Sequence, residues 1–515
     1  MEQAGPVRNR LEHWARVKPQ VAAIHDGDRA ISWEEWDRRA NAVAAYLQTR
    51  GITADDVVAA RTQNRIEWAI VWAAVAKIGA TLLGMNWRLT AAEARFVLED
   101  SGATGLFCDD ADPTALASVI ASRKLKFAVC IERTAAGFDS FDAISVGHAP
   151  ALFAQEDSSL IIYTSGTTGQ PKGAITSRPT RSIDDATYEY MRSVAGIPQP
   201  EDSVVLIALP MHHAAGPGNV RTAIGRGNTM VFMRRFDAVE ALMLIERHRI
   251  TVLNGVPTMF KRIAALPPEV LAQYDVSSVK TVGVGAAPVP HSLKEWMRKH
   301  FRTSPRERYG TTEVGVIAAL DSEDWDCKRG SSGRLVAHAQ VKILNAAGAA
   351  VASGGIGEIW AKTPVTIDGY LGKGKPGPDI LDAQGFFRTG DIGRLDEDGF
   401  LYITDRASDM IISGGVNIYP AEIEAALSRH PAIQDIAVIG IPDEEFGERV
   451  KAFCEIKPGA RASESELLAF AADHLASYKR PREIEFVAEL PRNAMHKILK
   501  RELRAPYWQH RERNV

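Results

Sequence analysis

Tyr163-Thr164-Ser165-Gly166-Thr167-Thr168-Gly169-Gln170-Pro171-Lys172-Gly173 is the stretch on which the reading of this chain turns. The apolar run leading into it, Leu160-Ile161-Ile162-Tyr163, reads as a short strand. Beyond that strand, hydroxyls, glycines and one lysine crowd into a few residues. Glycine lets the backbone take φ values that other residues avoid. Successive backbone N–H groups then converge on an anion. Ser and Thr hydroxyls add donors, and Lys172 adds a mobile positive charge. The combination reads as a cradle for a polyphosphate. It is not a Walker A loop, because no Ser or Thr follows the lysine. A random Gly/Ser/Thr cluster is more often a plain surface loop. The ordered strand, hydroxyl-glycine repeat and Pro-Lys-Gly set this one apart.

The chain's 515 residues are too many for one hydrophobic core, so at least two domains are expected. Hydrophobic content of 45% and charged content of 24% are those of an ordinary globular protein, and a net charge of −3 argues against a general nucleic-acid binder. Cys108, Cys130, Cys327 and Cys454 are scattered without a C-x-x-C spacing, which argues against a zinc site or a disulfide framework and fits a reducing cytoplasm. No signal-type segment opens the chain, and the most apolar stretch, residues 68–85, is broken by Lys77. It reads as a buried helix over 65–79 followed by a strand over 81–85, so no membrane partner is expected.

Strand and helix patterns alternate from residue 10 to about 330, with strands expected at 57–62, 105–108, 126–131, 203–209, 229–232, 251–254 and 281–284. A helix is expected over 91–100, and Ser32 with Glu35 has the spacing of a helix cap. Such alternation predicts layered α/β with largely parallel sheets. After about Gly330, glycines punctuate short β-prone runs at 358–361 and 399–404, a smaller β-rich subdomain. From Arg406 onward the pattern is a compact α+β module, with a helix after Pro420, strands at 436–440 and 450–455, and a helix over 464–474. The expected division is therefore 1–405 and 406–515.

Further motifs carry chemistry. In Tyr309-Gly310-Thr311-Thr312-Glu313 a carboxylate follows two hydroxyls, which suits Mg²⁺ held together with phosphates, and Tyr309 offers a face for a purine. Small residues in Gly283-Val284-Gly285-Ala286-Ala287-Pro288, at a strand end, let a ligand approach the backbone. Thr389-Gly390-Asp391 and Arg406 supply an acceptor and a cation for hydroxyl or phosphate oxygens. His213 stands among Ala214, Ala215, Gly216 and Gly218, small neighbours that leave room for a bulky group. No Asp or Glu lies between Met211 and Asn219, so a substrate ammonium would go unpaired there. Each of these alone is as well explained by a turn, a structural histidine or a solvated charge.

Taken together, the motifs from Thr164 to Lys497 resemble those of the adenylate-forming enzymes, in order and spacing over nearly the whole chain. The run from Ser413 to Glu424 most resembles the acyl- and aryl-CoA ligase branch. The resemblance implies a large N-terminal domain, a small mobile C-terminal lid, and ATP, Mg²⁺ and coenzyme A as the small molecules used. It assigns nucleotide contacts to Thr164, Ser165, Gly166, Thr167, Thr168, Gly169, Lys172, Gly285, Ala286, Ala287, Tyr309, Gly310, Thr311, Thr312, Asp391 and Arg406. Glu313 takes the metal; Lys497, His213 and Thr167 are catalytic; His213, Gly216 and Gly285 meet the acid. Gly414, Gly415, Tyr478 and Arg480 line the coenzyme A path, and Ser408 is the hinge. Two positions depart from the family pattern: His496 replaces the usual glycine before the lysine, and Ser408 replaces the usual Asp or Lys.

The activity implied is ATP-dependent ligation of an apolar aromatic, alicyclic or medium-chain acid to coenzyme A. Loading of a carrier protein and a non-catalytic nucleotide-binding relative are the alternatives. The resemblance also points to a protein lysine acetyltransferase as a partner acting on Lys497. The acid and the oligomeric state, a homodimer included, are left open at this level.

Overall fold

The computed structural model describes residues 10–509 apart from 111, 117–124, 134, 148, 153–158, 165–170, 177–184, 196–201, 288, 368, 373–375, 415 and 494–496. The chain divides into two compact units. The first comprises Met1–Glu323, Leu335–Gln340 and Lys362–Phe387; the second comprises Asp324–Arg334, Val341–Ala361 and Arg388–Val515.

In the first unit one sheet runs Phe127–Cys130, Gly105–Cys108, Val57–Arg61, Thr81–Gly84 and Leu160–Thr164, every neighbouring pair parallel. Lys172–Ile175 then adds antiparallel to Leu160–Thr164, with Thr164 opposite Lys172. A second sheet places Ala22–Asp26, Thr229–Phe232, Val204–Ile207, Val252–Gly255, Thr281–Gly285 and Arg306–Thr311 side by side, again all parallel. Gly315–Leu320 returns antiparallel on Arg306–Thr311. Parallel strands covered on both faces read as short continuous apolar runs, which is how Gly105–Cys108 and Thr229–Phe232 were legible to the residue.

The two faces of this second sheet bury different residues. Leu206, Val231, Leu253, Val282 and Val284 pack with Phe260, Met297 and Phe301. Val205, Ile207 and Val252 point the other way and join Val220 and Ala223 of the helix Ala215–Arg226. The apolar helix expected over 65–79 is Ile66–Lys77. Lys77, the charge that interrupts it, is buried against Glu12 at 2.6 Å and Asp37 at 2.8 Å. Among the described residues no helix is long and apolar enough to cross a membrane.

Helix ends follow local chemistry. Ser32 accepts from the Glu35 backbone N–H, and Thr90 with Glu93 forms a full capping box ahead of Ala91–Asp100. In the second unit, Ser463 with Glu466 does the same for Glu464–His474, and Pro420 opens Pro420–Leu427. There Phe387–Leu395 pairs antiparallel with Phe400–Arg406. A separate sheet joins Val416–Ile418, Ile411–Ser413, Gly447–Ile456 and Ile433–Asp443, with Glu483–Phe486 alongside Gly447–Ile456. Its two long strands exceed the expected 436–440 and 450–455, because the hairpin keeps its register out to Asp443 opposite Gly447. The polar ends of that hairpin carry no apolar period to announce them.

Candidate active site

The stretch Tyr163–Gly173 is anchored at both ends by the sheet. Thr164 is the last residue of Leu160–Thr164, and Lys172 is the first of the antiparallel strand beside it. Lys172 therefore belongs to a strand and not to the loop, which fixes where its side chain starts. Ser165, Gly166, Thr167, Thr168 and Gly169 lie outside the described residues. The Thr164 hydroxyl donates to Glu313 Oε1 at 3.4 Å, across 149 positions of sequence. Tyr370 donates its phenol to the same oxygen at 3.0 Å. Its ring lies 5.2 Å from the Lys172 ammonium, within cation–π range. Burial, and then the Glu313 charge, push the Tyr370 phenol well above its ordinary pKa, so it stays a donor.

Glu313 occupies the turn between Arg306–Thr311 and Gly315–Leu320. Tyr309, Gly310 and Thr311 end the first of these strands, and Thr312 opens the turn. The Thr311 hydroxyl accepts from the Val314 N–H at 3.1 Å and so tightens the turn. Ala286 and Ala287 follow Thr281–Gly285 in a bend, with Ala286 at φ 65°, a left-handed conformation that costs a residue bearing a Cβ.

His213 sits in the turn ahead of Ala215–Arg226. Its Nε2 is buried with no partner among the described residues, and both ring nitrogens of His212 share that condition. Burial lowers the His213 pKa to about 4, and burial next to His213 and Arg88 takes His212 well below the usual histidine value. Both imidazoles are neutral at pH 7, and a neutral Nε2–H is a donor for a carboxylate oxygen. Gly216 has a packing reason of its own. A Cβ there would stand 2.2 Å from the Pro210 carbonyl oxygen, so the turn closes only around glycine.

In the second unit Asp391 faces Arg406 across the Phe387–Leu395 and Phe400–Arg406 pair. Arg406 Nε lies 2.8 Å from Asp391 Oδ1; Asp391 is buried, while the Arg406 side chain keeps 42% of its exposure. Lys497 is an exposed residue whose N–H donates to Asn493 Oδ1 at 3.0 Å. Desolvation of the ammonium, then the positive charge of Arg406, lower its pKa, against the opposing pull of Asp391 and Asp409. The lysine and the Asp391–Arg406 pair thus share one electrostatic neighbourhood. Arg504 of Lys500–Trp508 grips the hinge candidate, donating to the Ser408 carbonyl at 2.6 Å and to the Asp409 carboxylate.

Gly414 donates its N–H to the Phe446 carbonyl at 2.8 Å, and Gly415 and His496 lie outside the described residues. Tyr478 is half exposed. Arg480 donates to the carbonyls of Leu475 and Ala472 at 2.9 and 3.0 Å, and Lys479 pairs with Glu422. The positive charge of this corner is therefore already engaged at a helix end.

Residues 11–371 match the family model of the AMP-binding enzymes, and residues 422–497 match that of the AMP-binding enzyme C-terminal domain. The chain belongs to the AMP-binding enzyme family. This AMP-binding enzyme is 34% identical over 493 residues to a feruloyl-CoA synthase of Amycolatopsis sp, covering 95% of this chain and 96% of that protein. It is also 34% identical over 508 residues to a 2-succinylbenzoate–CoA ligase of Geobacillus kaustophilus, covering 96% and 97%. Among solved structures it resembles the o-succinylbenzoate coenzyme A synthetase of Bacillus subtilis in complex with ATP and magnesium ion. The TM-score there is 0.81 at 29% identity, over 96% of this chain and 99% of that one.

Tyr370 was missed in the sequence of this AMP-binding enzyme. Its signal was only a tyrosine after Gly369 in a glycine-punctuated stretch. Its partner Glu313 is 57 positions away, and no local pattern announces such a contact.

Proposed function

We propose that this AMP-binding enzyme is an ATP-dependent carboxylic acid–CoA ligase, acting on an acid with an apolar aromatic, alicyclic or medium-chain body. One observation carries the reading: the phosphate-binding stretch and the acidic motif meet at Thr164 and Glu313, with Tyr370 and Lys172 beside them. This gathers a carboxylate, two hydroxyls and an ammonium where a triphosphate needs its charge managed.

In the first half-reaction a carboxylate oxygen attacks the α-phosphorus of ATP. The bond from that phosphorus to the oxygen bridging it to the β-phosphate breaks, giving acyl-AMP and pyrophosphate. Two anions must approach, so the site has to offset negative charge. Lys172 and Lys497 supply cations, and Thr164 with the hydroxyls of 165–169 supplies donors. His213, neutral and with its Nε2 buried, orients the acid by a hydrogen bond from that nitrogen in its Nε2–H tautomer. Preorganised donors of this sort are worth roughly 3–4 kcal/mol each in a transition state. Glu313, with its adjoining hydroxyls, has the all-oxygen donor set that Mg²⁺ takes together with phosphate oxygens. Such an ion, when bound, neutralises phosphate charge.

In the second half-reaction the coenzyme A sulfur attacks the acyl carbon. The bond to the AMP phosphate oxygen breaks, and the thiol proton leaves to solvent. We place the domain boundary at 405/406 and the hinge at Ser408, so that residues 406–515 act as a lid that carries Lys497 in for adenylation and out for thioester formation. Asp391 and Arg406 hold the ribose. Gly414 and Gly415 line the pantetheine path, and Tyr478 offers an aromatic face to the coenzyme A nucleotide. Arg480 adds a fixed charge there. We further assign the protein to the cytoplasm, in keeping with its free cysteines Cys108, Cys130, Cys327 and Cys454.

The test is pyrophosphate and AMP release from ATP with a panel of aromatic, alicyclic and fatty acids, with and without coenzyme A. Coenzyme A-dependent AMP release is expected. AMP release that requires a phosphopantetheinylated carrier protein replaces the ligase reading with carrier loading. Absence of pyrophosphate with every acid leaves a nucleotide-binding protein.

A further inference from the structure

Three parallel strands and one helix bring together polar side chains that the phosphate chemistry does not use. Asn254 is opposite Gly283, and Gly285 is opposite Arg308, at the carboxyl ends of Val252–Gly255 and Thr281–Gly285. Ligands of parallel α/β sheets bind beyond those ends. Gly283 has no side chain, and the space it leaves is polar. A Cβ there would stand 2.1 Å from Asn254 Oδ1 and 3.4 Å from an Arg308 Nη. Asn254 Nδ2 donates to Asn219 Oδ1 at 3.4 Å. Asn219 lies four residues into the helix that follows His213, about 6 Å along its axis at 1.5 Å per residue.

The cluster is unsatisfied. Asn219 Nδ2, Asn254 Oδ1, Arg308 Nε and Arg226 Nη1 are buried with no partner among the described residues. Burial, together with the neighbouring charges of Arg306 and Arg226, lowers the Arg308 pKa to about 10. Asp321, whose charge reaches Arg308, is paired with Arg306 at 2.9 Å. Buried polar groups are normally paired, and a buried cation without a counter-charge is costly. A ligand that brings its own acceptor oxygen answers the donors of this set, Asn219 Nδ2 and the Arg308 guanidinium.

We propose that Arg308, Asn219 and Asn254 form the distal end of the acid-binding site. They select acids whose apolar body ends in an acceptor oxygen, a ring carbonyl or a second carboxylate. The inference rests on the ligase reading above and adds the substrate class to it. The reacting carboxylate goes to the His213 end, and a ring-sized apolar body spans the stretch to Asn219. The guanidinium and Asn219 Nδ2 donate to the far oxygen, while Asn254, donating to Asn219 Oδ1, holds that amide in place. Charge favours the second carboxylate over the carbonyl, because a guanidinium takes a carboxylate in two parallel hydrogen bonds.

The test uses matched acids on the full chain, reading kcat/KM for pyrophosphate release. Phenylpropanoate is set against para-carboxyphenylpropanoate, and cyclohexylpropanoate against its ring ketone. The wild type is expected to prefer the oxygen-bearing member by about 10- to 150-fold, the range of one hydrogen bond to a charged group. Arg308→Met should bring that ratio close to one, and Asn219→Leu should lower it several-fold. If Arg308→Met loses its cooperative melt, the wild-type ratios and Asn219→Leu decide. A wild type that turns over the plain acids with no preference for their oxygenated partners overturns the inference and leaves the ligase reading standing. So does a preference that survives in a folded Arg308→Met. Pyrophosphate release with none of the acids overturns the ligase reading, and this inference with it.

Discussion

Replacing Tyr370 by phenylalanine removes one hydroxyl and leaves the rest of its surroundings in place. The ring keeps its edge contact with Phe387 at 6.1 Å and its position 5.2 Å from the Lys172 ammonium. The backbone keeps its bridge to Ala174, and Leu371 keeps its N–H bond to the Gly173 carbonyl at 2.8 Å. The substitution loses the 3.0 Å bond to Glu313 Oε1, leaving that oxygen the longer 3.4 Å bond from Thr164. A hydrogen bond to a charged acceptor is worth about 1.5–3 kcal/mol. At about 1.4 kcal/mol per tenfold, kcat/KM for magnesium-ATP should fall roughly 10- to 150-fold. The loss should appear in steady-state pyrophosphate release with ATP varied at fixed acid. Thioester formation from acyl-adenylate made beforehand should change little, since the triphosphate is gone by then. A thermal melt checks the fold. Tyr46→Phe, which removes the hydroxyl bound to the distant Asp139, serves as the control and should leave the rate unaltered. A Tyr370→Phe enzyme with wild-type kcat/KM for magnesium-ATP would refute the idea that this phenol holds Glu313 in its working position.

Lys497→Ala should reduce adenylation by about two orders of magnitude or more while leaving the melting temperature unchanged, because the residue is exposed; wild-type pyrophosphate release by the folded variant removes the lysine from the mechanism. With the Lys497 pKa lowered by desolvation and by Arg406, the alkaline limb of the adenylation profile should begin below 10.5, and a limb at 10.5 or above contradicts that environment. His213, at about 4, stays neutral across the physiological range, so kcat/KM for the acid should show no inflection near 6.5. An inflection there that vanishes in His213→Asn would show the imidazole to be an ordinary, titrating one. Glu67→Gln should destabilise the protein by about 3–5 kcal/mol in urea unfolding, since Glu67 is buried between Arg29 at 2.6 Å and Arg65 at 2.7 Å. Burial alone would raise the Glu67 pKa, but the hydrogen bond from Arg29 and the charge of Arg65 outweigh it and hold the value at about 2. Its contribution is therefore complete above the unfolded value of 4.5 and is lost as pH falls through about 2, so the difference between wild type and variant should shrink over that window. A difference independent of pH across that window contradicts the assignment.

Much of the architecture was written locally. A buried parallel strand must be apolar along its length, so Gly105–Cys108 and Thr229–Phe232 were visible as runs. A helix that begins with a capping box declares its first residue, as Ala91–Asp100 and Glu464–His474 do. The Tyr163–Gly173 stretch and the Tyr309–Glu313 motif were visible because their chemistry lies in consecutive residues. The chain could not announce the length of the Ile433–Asp443 and Gly447–Ile456 hairpin, whose polar ends are held by register and not by apolar period.

What the sequence determined by itself is the set of elements and the kinds of group each loop carries, because capping, glycine turns and strand hydrophobicity act over a few residues. Only the tertiary structure decided which groups meet. Thr164 and Tyr370 converge on one oxygen of Glu313 from 149 and 57 positions away. Arg308 comes to lie over Gly283 beside Asn254, and the Asp321 carboxylate goes to Arg306. Strand order and register place Asn254, Gly283 and Arg308 on one face of a sheet. Register is a property of pairs of strands, and no single stretch of the chain contains it.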